Sequence, residues 1–228
     1  MLIRKERGLI VFAKPPVDGT VKTRLVPAIG ARPAALLYRS FLLDSVAQYR
    51  RIGYPIRLYF GDGEIPGELV DHHPDVEVLR QDGKDLGERM ANAFLETFGA
   101  GFNSAVIIGT DHPSLPDEYI RLAFDLLSEP KTIVLGPSED GGYYLLGMNH
   151  FFPQLFRAME YSHSRVLDQT IDRALETDAL LTLLPLWYDV DTPEMLARLL
   201  HDLRSDPASA PRTAELLEVL ADRHSFLQ

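Results

Sequence analysis

Short apolar runs alternate with amphipathic stretches along most of this chain, and that alternation narrows its possible folds more than any other feature. The runs Gly8-Leu9-Ile10-Val11-Phe12, Ile56-Arg57-Leu58-Tyr59-Phe60, Val76-Glu77-Val78-Leu79, Ala105-Val106-Ile107-Ile108, Thr132-Ile133-Val134-Leu135 and Tyr143-Tyr144-Leu145-Leu146 have the length and composition of buried strands. Between most of them the spacing is helical. Leu37, Phe41, Leu42, Val46 and Tyr49 share one face of a helix expected over 31–50, and Leu86, Met90, Ala93, Phe94 and Phe98 share one face of another. Further helices are expected at 117–127, just after Pro116, at 164–177, and in the tail at 193–204 and 211–223. Strand–helix alternation of this kind predicts a three-layer α/β fold around a mainly parallel sheet. The one linker-like segment, 205–211, is too short to separate domains, so residues 1–228 are expected to form a single domain.

Length and composition fit that picture and remove several functions. A chain of 228 residues that is 46% hydrophobic can bury one substantial core. A net charge of −10 argues against a nucleic-acid-binding surface, and no apolar run approaches the roughly 20 residues of a membrane span. The start Met1-Leu2-Ile3-Arg4-Lys5-Glu6-Arg7 is charged, and the apolar stretch after it is short and leads into Lys14, unlike a secretory signal; a cytoplasmic protein acting on small molecules is expected. With no cysteine, disulfides, thiolate metal sites, iron–sulfur clusters and cysteine nucleophiles are excluded.

Straight after the first run comes Ala13-Lys14-Pro15-Pro16-Val17-Asp18-Gly19-Thr20-Val21-Lys22-Thr23-Arg24-Leu25, which gathers three cations onto one turn where a strand feeds toward a helix. In an open α/β sheet that is where ligands bind. Lys14, Lys22 and Arg24 suit phosphate, and Gly19 lets the backbone approach a ligand or take a positive φ. A solvated basic loop is the plain alternative. The spacing is not that of Walker A, because Pro16 stands at the first glycine position and Val21 precedes Lys22. The dinucleotide fingerprint is also missing, which argues against a Rossmann oxidoreductase.

Carboxylates recur where other strands should end. Gly109-Thr110-Asp111-His112-Pro113-Ser114-Leu115 puts one acid after an expected central strand, where Mg²⁺ or Mn²⁺ would find an oxygen ligand; the alternative is that Asp111 or Ser114 caps the next helix. His112 has no second histidine at ligand spacing and reads as a hydrogen-bonded neighbour. In Tyr188-Asp189-Val190-Asp191-Thr192-Pro193-Glu194 an extended backbone places Asp189 and Asp191 on one side, while Thr192 or Asp191 also suits the N-cap of the helix that Pro193 opens. Between two strands, Gly136-Pro137-Ser138-Glu139-Asp140-Gly141-Gly142 reads either as a hairpin turn with solvated acids or as a loop where Asp140 meets an acceptor as a base or hydroxyl contact. Ser162-His163-Ser164 lacks a nucleophile elbow and reads as helix capping, and Trp187 and Phe151-Phe152 read as core or partner contacts.

Together the basic turn, Gly87-Glu88-Arg89-Met90, Gly109-Thr110-Asp111-His112-Pro113, Glu139-Asp140-Gly141-Gly142-Tyr143 and Asp189-Val190-Asp191-Thr192-Pro193 resemble, in the same order, the bacterial GT-A-like glycosyltransferases also described as radical-SAM/selenodomain-associated transferases. The likeness runs from about Gly8 to Leu199, with a more distant similarity to phospholactate and molybdenum cofactor guanylyltransferases. It implies a nucleotide-diphospho-sugar transferase (GT-A, Rossmann-like) fold and a nucleotide or nucleotide-sugar donor. It further implies that Lys14, Lys22 and Arg24 contact donor phosphates and that Asp111 and Asp191 hold Mg²⁺ or Mn²⁺. From the two loops themselves, Gly19, Thr23, Gly141 and Gly142 are expected to line the substrate. Lys22 and Asp140 are the expected catalytic residues, and the acceptor is a small molecule of open identity. Two departures bear on the reaction: only one acid stands where many glycosyltransferases carry Asp-x-Asp, and Pro15-Pro16 replace the glycine-rich start of the guanylyltransferase loop. Glycosyl and nucleotidyl transfer both remain open, and so does a non-catalytic protein that binds a nucleotide or nucleotide sugar.

Overall fold

The computed structural model describes residues 5–71 and 76–227, so the charged start at 1–4 lies outside the described residues. Among the described residues seven strands form one sheet in the order β3-β2-β1-β4-β6-β5-β7: β1 (Lys5–Ala13), β2 (Ile56–Phe60), β3 (Val76–Arg80), β4 (Phe102–Ile108), β5 (Thr132–Pro137), β6 (Tyr143–Met148) and β7 (Leu180–Leu183). Eight α-helices are interleaved among the described residues: α1 (Val26–Ile29), α2 (Ala31–Ile52), α3 (Gly67–Asp71), α4 (Leu86–Gly99), α5 (Asp117–Leu126), α6 (Val166–Leu175), α7 (Pro193–Ser205) and α8 (Pro211–Ala221). The three-layer, mainly parallel α/β sheet expected from the alternation is therefore present.

One strand runs against the rest. β6 is antiparallel to both β4 and β5, because only Ser138–Gly142 separate it from β5 and so short a connection cannot make a parallel crossover. The turn closes with Gly141 at φ +86, while Ser138 accepts the amide of Gly141 and donates its own to the Gly142 carbonyl. β7 was not expected. It is a four-residue edge strand, half-exposed along its length, inside the uncharged run 179–188 where no alternation marks a strand.

The central strands are buried on both faces, as parallel strands between helical layers must be. Leu9, Val11, Leu58, Phe60 and Ile108 pack with Leu42, Val46 and Tyr49 of α2 and Phe124 of α5. On the opposite face Ile10, Tyr59, Ile107 and Leu146 pack with Met90 and Phe94 of α4. A third cluster joins α2, α7 and α8 through Leu37, Phe41, Leu199, Leu200, Leu217 and Leu220, and Val190 enters it from the approach to α7. Asp44, buried on α2, fixes that junction by accepting the amides of Arg212 and Thr213 at the start of α8, at 3.3 and 2.8 Å. The carboxylate fills the role of a cap that Ala210 cannot supply.

Candidate functional site

The carboxyl edge of the sheet collects the basic turn, the loop after β4, the β5–β6 turn and the segment before α7. Two tyrosines of α2 brace the first two. Tyr38 accepts the Lys14 amide at 2.9 Å and shares a hydrogen bond with the Thr110 hydroxyl at 3.1 Å, and Tyr49 donates to the Gly109 carbonyl at 3.1 Å. Burial, reinforced by Asp111, pushes the Tyr38 phenol up to about 12, so it stays a neutral bracket at any physiological pH. Sequence gives no sign of this role, since a tyrosine on a buried helical face reads as core.

The segment 187–191 reaches the edge by borrowing backbone partners from two strands. Trp187 donates its amide to Pro137 and its carbonyl accepts from Glu139, and the Val190 amide then donates to the Asp111 carbonyl. Val190 is buried, so Asp189 and Asp191 project together on the other side, as the alternation anticipates. Thr192, rather than Asp191, caps α7 by accepting the Met195 amide. Asp191 is thereby left for other work.

That work is shared with Asp111 and Lys22. The Lys22 ammonium lies 2.5 Å from Asp111 Oδ1 and 2.9 Å from Asp191 Oδ1, with its side chain 2% exposed while the two acids are 48% and 39% exposed. A buried ammonium requires such pairing. Desolvation alone would lower the Lys22 pKa, but the two carboxylates outweigh it and raise it above the ordinary lysine value. Burial would likewise raise Asp111, yet the Lys22 charge holds it below the usual carboxylate range. Asp111 does not cap the next helix, where Pro116 occupies the N-cap position.

The other residues singled out by sequence sit nearby with different exposures. Lys14, Gly19, Thr23 and Arg24 are open to solvent, and Arg24 approaches Asp191 only loosely at 3.8 Å. Gly19 takes φ +76 with open space where a side chain would project. Asp140 is exposed and accepts the Gly142 amide at 2.9 Å, so it has a turn-forming role whatever else it does. Glu139 is paired with Arg198 at 2.9 Å. Gly141 packs so closely on the Ser164 backbone that no side chain fits there, which ties the turn to the loop before α6.

A further acid belongs to the cluster. Asp189 accepts a 2.7 Å hydrogen bond from the Ser138 hydroxyl, and burial pushes its carboxyl above the ordinary value, opposed by His112 and reinforced by Asp111. The Asp-x-Asp spacing of 189 and 191 was its only sequence signal. His112 is buried edge-on to Tyr144, and its Nδ1 has no hydrogen-bond partner.

Chemically, this edge offers two half-exposed carboxylates held by one lysine, bordered by the exposed cations Lys14 and Arg24. Among the described residues no three His, Cys, Asp or Glu side chains gather as a metal cage. Asp111 and Asp191 nevertheless fit a hard divalent cation that completes its shell with water and phosphate, and the Lys22 ammonium already stands as a cation between them. A cleft of about 540 Å³ opens at the opposite end of the sheet beside Arg7, Lys131 and His150. Arg7 and Lys131 are already paired there, with Asp125 and Asp178.

Comparison with known proteins agrees with the fold. Residues 48–163 match the model of a family described as uncharacterized protein conserved in bacteria (DUF2064). A provisionally named nucleotide-diphospho-sugar transferase from Desulfovibrio desulfuricans G20 is 29% identical, with a TM-score of 0.87 over 98% of this chain and 97% of that one. A cytidylyltransferase from Leptospira borgpetersenii shares the fold at 16% identity and a TM-score of 0.57, over 99% of this chain and 97% of its own. A nucleotidyl transferase from Methanothermobacter does so at 13% identity and a TM-score of 0.53, over 88% of this chain and 99% of its own. No curated protein matches the sequence.

Proposed function

We propose that this chain, which belongs to the bacterial DUF2064 family, is a transferase that takes a nucleotidyl or glycosyl group from a nucleotide or nucleotide-sugar donor and passes it to a small-molecule acceptor. The observation that carries this reading is the meeting of Lys22, Asp111 and Asp191 at the carboxyl edge of the sheet, with Lys14 and Arg24 exposed beside them. The 29%-identical Desulfovibrio protein supports it, and the resemblance of the five sequence motifs is our reason for placing the chain near the radical-SAM/selenodomain-associated and guanylyltransferase-like proteins.

In this reading Lys14 and Arg24 bind the donor phosphates as exposed charge-assisted donors, and Gly19 and Thr23 let the turn close over them. Asp111 and Asp191 hold Mg²⁺ or Mn²⁺, which when bound would offset the negative charge that builds on phosphate oxygens as the donor bond breaks. Asp189 is kept in place by Ser138 and fixes the segment that carries Asp191. Asp140, exposed at the tip of a turn made rigid by Gly141, meets the acceptor and orients its nucleophilic oxygen. An acceptor that is already an ionised phosphate needs no base.

Heat denaturation with a panel of nucleoside triphosphates and nucleotide sugars, with and without Mn²⁺, identifies the donor; a ligand at 100 times its Kd stabilises the fold by about 2.7 kcal/mol. Release of pyrophosphate on adding an acceptor then marks nucleotidyl transfer, and release of a nucleotide from a nucleotide sugar marks glycosyl transfer. Donor protection without either product would make the protein a binding module. Protection by no member of the panel would sink the reading altogether.

A further inference from the structure

We propose that Lys22 is an internal counter-cation that closes the Asp111–Asp191 pair, and that it must leave the pair for a divalent cation to enter, so that cation loading and delivery of Lys22 to the donor phosphates are one coupled event. The inference rests on the transferase reading and adds an order of events to it.

Three observations carry it. First, the same two oxygens, Asp111 Oδ1 and Asp191 Oδ1, are taken by the Lys22 ammonium, which is buried although both acids are half-exposed. A doubly charged ion sharing those oxygens would repel an ammonium at hydrogen-bonding distance, so the two cations exclude one another. Second, Lys22 takes φ +46, a left-handed backbone that a residue with a side chain adopts at a cost. The ion pairs, together with the Phe41 ring 5.4 Å from the ammonium, compensate for that conformation. Losing them frees the turn to relax. Third, Lys22 has an open side to swing toward, because Gly19 holds a positive φ in open space and Thr23 and Arg24 are solvent-exposed, while buried Val21 and Leu25 keep the turn anchored.

A displaced Lys22 needs a new anion, and a polyphosphate bound beside Lys14 and Arg24 supplies one. The cation and the donor should therefore strengthen each other's binding, and by linkage the effect is reciprocal. Alone, either ligand has to open the latch unaided.

Binding of Mn²⁺, followed by electron paramagnetic resonance of the free ion, tests the idea on the intact protein. Lys22→Met should bind Mn²⁺ roughly tenfold more tightly than the wild type, the scale of one charge-assisted contact, whereas Lys22→Arg should not. Acetylation of wild-type Lys22, read by mass spectrometry against exposed Lys14, should rise when Mn²⁺ is added, and this measurement stands even if the Met variant does not fold. Unchanged or weaker Mn²⁺ binding by folded Lys22→Met, or a Lys22 that stays unreactive at saturating Mn²⁺, overturns the latch. Mn²⁺ binding to the wild type that is lost in Asp111→Asn would in that case leave the cation site standing. If neither the wild type nor Lys22→Met binds Mn²⁺, the latch and the cation site fall together.

Discussion

At Asp111 two influences oppose each other, burial that favours the neutral acid and the Lys22 charge that favours the anion, and the second prevails. A carboxyl whose folded pKa lies below its unfolded one adds stability that is complete above the unfolded value and is lost as pH falls through the folded one. The stability difference between wild type and Asp111→Asn should accordingly be greatest near neutrality and shrink below about pH 4, which urea titrations at several pH values would show. At neutral pH the Asn variant should stay folded and lose Mn²⁺-dependent nucleotide binding; calorimetry that finds affinity unchanged would reduce Asp111 to a structural partner of Lys22. Arg24 is a contrasting case, being exposed and only loosely paired. Arg24→Ala should weaken triphosphate binding roughly tenfold with little change in Tm, while nucleoside binding is untouched. The charged residues at these positions stood out in the sequence, and the structure brings Lys22, Asp111 and Asp191 together. That Lys22 would be buried between the acids was not legible, because the contact joins residues 169 positions apart and depends on where the sheet places them.

The longer helices were legible from their periodicity and caps, whereas the short α1 and α3 were not expected. The helices at 31–50, 86–98 and 117–127 are present within a few residues, and Pro193 and Pro211 open α7 and α8 as expected. The direction of β6 was harder to foresee, since the six apolar runs look alike and only the shortness of the Ser138–Gly142 turn separates a hairpin from a crossover. Two single residues hold neighbouring elements in place. Asp44→Ala would leave the first amides of α8 without a partner in a buried setting and should cost about 2 kcal/mol in urea unfolding, whereas Asp44→Asn should retain part of the stability. Gly141→Ala would drive a methyl group into the Ser164 backbone at a positive φ, and a loss of about 1–3 kcal/mol is expected, together with loosening of the loop before α6 in hydrogen exchange. A Tm equal to wild type would mean that this loop yields easily and does not hold the turn.

Across the whole molecule the site is drawn from nearly the entire length of the chain. Its first cation is Lys14, its last acid is Asp191, and the span 48–163 that matches the family model includes Asp111 but neither Lys22 nor Asp191. No helix among the described residues is long and apolar enough to cross a membrane. The chemistry is thus distributed over parts of the sequence that become neighbours only when β1, β4 and the approach to α7 are all docked. Until the last third of the chain is in place, Lys22 and Asp111 have only each other and the second carboxylate is missing. Contacts of such long sequence separation form slowly. In a chain emerging from a ribosome or refolding from urea, the cation binding proposed above would therefore be among the last properties acquired, and on that reading a partly folded molecule would hold no donor that it could waste.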